Sequence, residues 1–102
     1  MPVRLDGKLR NMDNDSEQKR LEGIIGDHMM GALRRYLDDG IKPGDFLTAV
    51  LSNDLKEACG RADDHNRHIL FEYVSYLYNY CPKTCWGSRE VVQAYIEKVI
   101  RF

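Results

Sequence analysis

Apolar side chains recur at intervals of three and four along most of this chain, the spacing that gathers them on one face of an α-helix. Leu21, Ile24 and Ile25 share such a face in a short segment starting near Ser16, and Gly26 stands where it would end. In "DHMMGALRRYLDDG" the pattern returns as Met30, Leu33 and Leu37, between a capping Asp27 and a terminating Gly40. Pro43 and Gly44 mark a turn. Beyond them, capped by Asp45, "FLTAVLSNDLKEACGRA" carries Leu47, Val50, Leu51, Leu55 and Ala58 as a single stripe. Asp63 and Asp64 suit the positive end of a further helix that continues through "HNRHILFEYVSYLYNY" to Pro82. Ser88 opens the last, with Val92, Tyr95, Ile96 and Val99 on its face.

The aromatic segment allows a second reading, because Phe71, Tyr73, Val74, Tyr76 and Tyr78 all favour strands. The series Asn66, Leu70, Tyr73, Val74, Leu77, Cys81 fits a helical period better than strict alternation. The pattern predicts an all-α fold: a compact bundle of about four main helices with a short N-terminal one. Residues 1–15 show no sustained period and are expected to form a flexible tail, with Val3, Leu5 and Leu9 free to dock; residues 16–102 form one helical domain.

Composition narrows the function classes. At 102 residues a single core suffices, and a 43% hydrophobic share with 30% charged residues is ordinary for a globular chain. The net charge of -1 is spread without strong blocks, so the basic surface expected of a duplex-DNA binder is missing. No apolar run approaches the roughly 20 residues needed to span a bilayer, and the polar start lacks a secretory signal. Three cysteines, an odd number, suit reduced thiols in the cytoplasm.

The stretch "NYCPKTCWGS" sets Cys81 and Cys85 four positions apart, beside Pro82 and the only tryptophan, Trp86. A structural zinc site needs four ligands, and Cys59, His28, His65 and His68 supply no second pair at ligand spacing. His68 and Cys81, 13 residues apart on one helix, would stand roughly 20 Å from each other. A redox pair would normally be Cys-x-x-Cys. The stretch reads best as a helix connection in which Trp86 tucks under the loop as an anchor, or offers its ring to a ligand's base. Neither a metal nor any other cofactor is expected.

No glycine-rich phosphate loop, G-x-S-x-G elbow or H-E-x-x-H occurs, so the chain reads as a binding protein rather than an enzyme. The informative residues are polar ones on apolar faces. Asp54 interrupts the stripe of Val50, Leu51 and Ala58; Arg61 follows two turns later; Asn66 shares a face with Leu70, Tyr73 and Leu77. Buried polar groups need partners. Either Asp54, Arg61 and Asn66 satisfy one another across the helix junction, or they line a pocket. In the second case Asp54, Arg61, Asn66, Arg67, Tyr76 and Trp86 form the ligand site, with Arg34 and Arg35 at its rim. Tyr73, Tyr76 and Tyr80 would make an aromatic edge. Six tyrosines in so small a domain suggest self-association, since not all can lie deep inside.

The segments "GDFLTAVLSNDL", "RADDHN" and "CWGS" resemble a family of small, largely uncharacterised proteins of tailed phages and prophages, over about residues 27 to 97. The family has no established activity, so the resemblance assigns no catalytic residue. It implies an accessory protein of the bacterial cytoplasm that acts by stoichiometric binding, antagonising a host defence. The partner would be a nucleotide-derived signal that it sequesters, a host defence protein that it inhibits, or, less in keeping with the residues, a nucleotide that it processes.

Overall fold

The computed structural model describes residues 7–100, with side chains from Ser16 onward. The all-α expectation holds: seven α-helices and one 3-10 turn make up the described chain, and the described residues form no strand. They are α1 (Gly7–Ile25), α2 (Asp27–Asp39), α3 (Asp45–Leu51), α4 (Leu55–Arg61), α5 (Asp64–Arg67), α6 (Leu70–Tyr80) and α7 (Arg89–Ile100), with the 3-10 turn Lys83–Cys85 between the last two. None of the described helices is long and apolar enough to cross a membrane.

The first helix starts earlier than its apolar period suggested. Residues 7–15, expected as tail, are helical; the remainder of that tail lies outside the described residues. The helix carries no amphipathic stripe along its whole length, and straight-chain residues such as Gln18 and Lys19 lose little rotamer freedom in a helix. Its end is built as expected, with Gly26 at φ +95°. Helix α2 ends in a left-handed cap: Gly40 sits at φ +70°, its amide bonds to the Tyr36 carbonyl, and Ile41 N–H reaches back to Arg35.

Two of the expected helices are each broken in two. Between α3 and α4, Asn53 takes φ +59°, its amide bonds to the Val50 carbonyl, and Asp54 N–H bonds to Ala49. This is a Schellman end, with asparagine in the left-handed position that glycine usually fills. The next helix starts at once, because the Asp54 carboxylate accepts from Glu57 N–H at 3.1 Å. Between α5 and α6 the substitution is subtler. His68 Nδ1 takes the Asp64 carbonyl at 2.7 Å, the acceptor that its own amide would use in a continuous helix. The amide bonds to His65 instead, and Ile69 N–H to Asn66.

Helix α1 packs on α2 and α6, α3 on α4 and α7, and α2 on α7, which also holds the 3-10 turn. Leu21, Ile25, Met30, Leu33, Leu51, Tyr73 and Leu77 meet in the centre. Phe46 packs edge-on to Tyr73 with ring centres 5.2 Å apart, and Tyr36 lies against Tyr95 at the same distance. The fourth apolar residue of the expected α3–α4 stripe does not join them: the break at Asn53 turns Leu55 out to solvent.

Candidate functional site

The three polar residues expected to meet at the helix junction are each satisfied elsewhere. Asp54 is the cap of α4, and its second oxygen accepts from Arg89 Nη2 at 2.8 Å. The Glu57 amide, and after it Arg89, hold its carboxyl below the usual carboxylate range. Arg61 is exposed and pairs with Glu57 at 2.7 Å and Asp45 at 3.4 Å. Asn66 is buried, and its Oδ1 accepts from the Tyr73 hydroxyl at 2.6 Å. The expected cluster therefore does not assemble. Its premise was one continuous helix through Asp54; the Schellman turn moves that carboxylate from the buried stripe to a capping position.

The other expected site residues also separate. Arg67 is exposed and paired with Asp64. Tyr76 is buried and donates to Glu22 Oε2 at 3.0 Å, while Arg34 approaches the other oxygen of the same carboxylate at 3.5 Å. The aromatic edge is largely internal: Tyr73 and Tyr76 are buried and Tyr80 half-buried, stacked 5.8 Å from Tyr76.

In the cysteine loop Cys85 is the most deeply buried residue, and Trp86 packs half-buried against the core beside it. Cys85 is fully buried, and its carbonyl accepts from the Tyr36 hydroxyl at 2.6 Å. Ser88 caps α7 as expected, accepting from Val91 N–H at 3.1 Å. The thiol of Cys81 hydrogen-bonds to that of Cys85, which together with burial pushes it far above the ordinary thiol range. The same hydrogen bond lowers the Cys85 thiol, which is fully buried. Among the described residues no three His, Cys, Asp or Glu side chains are grouped to hold a metal ion.

Trp86 also has a second task. Its backbone is pinned on both sides, by Tyr36 at Cys85 and by the Gly87 amide, which donates to the Leu51 carbonyl at 2.7 Å. Gly87 stands at φ +135°, where a side chain would be strained. The half-buried indole lines a cleft of about 480 Å³ together with Asn53, Tyr78, Asn79, Lys83 and Gly87. The fold supplies these from separate elements. The left-handed turn presents Asn53, the last turn of α6 presents Tyr78 and Asn79, and the 3-10 turn presents Lys83. Lys83 makes no ion pair with any described residue, so its charge is available. A second cleft, of about 350 Å³ between α3 and α7, holds Lys42, Arg89 and Glu90 but no aromatic ring.

Of the six expected site residues, the Trp86 cleft keeps one. Sequence reasoning missed Asn53, Tyr78, Asn79 and Lys83. The local signal for Asn53 was present in "LSND", a run of helix-ending residues inside an apolar stripe. Compared with protein families, curated proteins and solved structures, the chain matches none.

Proposed function

We propose that this protein works by stoichiometric binding and takes a nucleotide-derived ligand in the Trp86 cleft. The observation that carries the reading is the composition of that cleft: two aromatic rings, one unpaired lysine and two side-chain amides around about 480 Å³. Aromatic faces stack on bases and contribute about 1–3 kcal/mol per base. Carboxamides match base edges, and an ammonium suits a phosphate. The volume lies within the roughly 300–1,000 Å³ of small-ligand sites and suits one nucleotide unit. In the role implied by the resemblance to phage accessory proteins, such binding would sequester a defence signal.

Trp86 is the only tryptophan, so its fluorescence reports on the cleft alone. Titration with cyclic mono- and dinucleotides and with ADP-ribose derivatives is expected to change the emission to saturation at one ligand per chain for at least one of them. Ligand released by heat should be recovered intact; altered ligand would indicate an enzyme instead. Lys83→Ala should weaken binding at least tenfold with an unchanged melting temperature. Flat titrations to millimolar concentration across this panel would overturn the proposal.

A further inference from the structure

Among the described residues six large hydrophobic side chains are exposed, and four of them share one surface. Phe71, Val74 and Tyr78 follow one another at three and four residues, so they form one stripe along α6, with the small Ser75 beside Val74. Leu55 of α4 joins them, since it borders the same shallow hollow as Leu70 and Val74. Their exposures are 78% for Phe71, 71% for Tyr78, 69% for Leu55 and 42% for Val74. The opposite side of the same helix, Tyr73, Tyr76 and Leu77, is the buried one, so α6 is apolar on both faces. Glu72 and Asn79 keep a narrow polar edge between these faces, and an outward apolar stripe of this size on a helix already seated by its other face marks an interaction surface.

Taking about 150–250 Å² for a large aromatic residue and somewhat less for the aliphatic ones, the four leave roughly 450–500 Å² of apolar area in water. That is at the upper end of the largest patch on a typical monomer, about 300–600 Å². It also matches what one partner brings to a standard interface: about 800 Å², of which some 56–65% is non-polar.

We infer that this face is covered by a second copy of the chain, in a two-fold dimer with the two α6 helices antiparallel. The arrangement of the stripe suits such an axis. Phe71 and Tyr78 stand about 10 Å apart along the helix, either side of the lower ground at Val74 and Ser75. A two-fold axis through that middle sets Phe71 of one copy against Tyr78 of the other and lets the helices approach at Ser75. The interface is isologous, so each contact is made twice. A net charge of -1 per chain brings almost no repulsion between copies. Antiparallel helix dipoles also oppose each other favourably. Because Tyr78 also lines the Trp86 cleft, Phe71 of the second copy closes the cleft's edge. That last consequence alone rests on the function proposed above.

The dimer is tested without ligand. Light scattering coupled to size exclusion, from 5 to 200 µM, should give the mass of two 11.9 kDa chains. Phe71→Glu and, separately, Leu55→Lys should give single chains with the wild-type helical spectrum, both side chains being exposed in the isolated fold. In a Cys59→Ser background, Ser75→Cys chains should be joined in pairs by a short bis-maleimide, and chains with Glu97→Cys on the exposed face of α7 should not. A wild-type monomer across the whole range, or a dimer indifferent to both charge substitutions, overturns the inference. If the dimer forms but no nucleotide binds, the proposed function fails and the dimer stands. If nucleotide binds, Phe71→Glu should weaken it severalfold through loss of the closing ring.

Discussion

Asn66 shows what a buried polar side chain demands of its neighbours. Its amide N–H is taken by the Asp63 carboxylate at 2.8 Å, which starts α5, and its Oδ1 by Tyr73, one helix further on. Asn66 therefore receives the cap that starts α5 and ties it to the first turns of α6. Tyr73→Phe removes only a hydroxyl, yet it leaves Oδ1 buried without a donor, a loss of about 1–3 kcal/mol. Urea unfolding should show this as a lower midpoint with an unchanged slope. Replacing both partners, as in Tyr73→Phe with Asn66→Leu, should recover part of the loss, because no orphaned polar atom remains. If Tyr73→Phe alone is neutral, the bond contributes nothing and Asn66 is better regarded as solvated. The exposed arginines behave in the opposite way. Arg61 and Arg67 pair in water, where such pairs contribute little, so neither anchors the fold.

Among the elements, the ends decide the arrangement. Gly40 is the sharpest case: at φ +70° it ends α2, and a Cβ there would lie 2.9 Å from Ile100 Cγ2 and 3.3 Å from the Ile96 carbonyl oxygen of α7. The exposed Ile100 side chain can move aside, but the backbone oxygen cannot. Gly40→Ala should cost about 1–2 kcal/mol from the left-handed conformation alone. Gly60, inside α4, has open space within 4 Å and no positive φ, so Gly60→Ala should instead stabilise by up to about 1 kcal/mol. A thermal melt of the two variants checks the opposite signs. Glycine ends of this kind, like the turn at Pro43 and the Ser88 cap, were legible because the residue itself carries the conformational preference. The breaks at Asn53 and His68 were not. There the apolar period resumes beyond the break, outweighing the weak local signal of Ser52, Asn53 and Asp54, while a left-handed asparagine or a side chain competing for a carbonyl interrupts the backbone. The error carried over to the site: with α3 and α4 read as one helix, Asp54 was placed on the core and Asn53 overlooked. Trp86 was visible by its chemistry, but its cleft is assembled from turns whose geometry no periodicity encodes.

At the scale of the molecule, the tyrosines are fastenings between distant parts of the chain. Tyr36 donates to the Cys85 carbonyl, joining α2 to the 3-10 turn; Tyr76 donates to Glu22, joining α6 to α1; Tyr95 donates to the Leu37 carbonyl at 2.7 Å, joining α7 to α2. This explains how several phenols lie within a domain of this size: Tyr36, Tyr73, Tyr76 and Tyr95 each have an acceptor, so the ring can be covered without orphaning the hydroxyl. It also makes the fold sensitive to base. Burial is the leading cause that raises the phenols of Tyr36 and Tyr73, and it takes Tyr76 to about 12. An unfolded tyrosine ionises near pH 10. A group whose folded value is raised lends stability that is complete below its unfolded value and is lost as pH climbs through the folded one. Stability should therefore be flat up to about pH 9 and fall steeply between roughly 10 and 12. Phenolate absorbance at 295 nm for these three rings should rise together with the loss of helical circular dichroism, because a phenolate can no longer donate to Cys85, Asn66 or Glu22 and the three bonds release as one. Gradual ionisation near pH 10 with the helical signal intact would mean that the rings are reached by water in the native protein, and that the core is assembled differently.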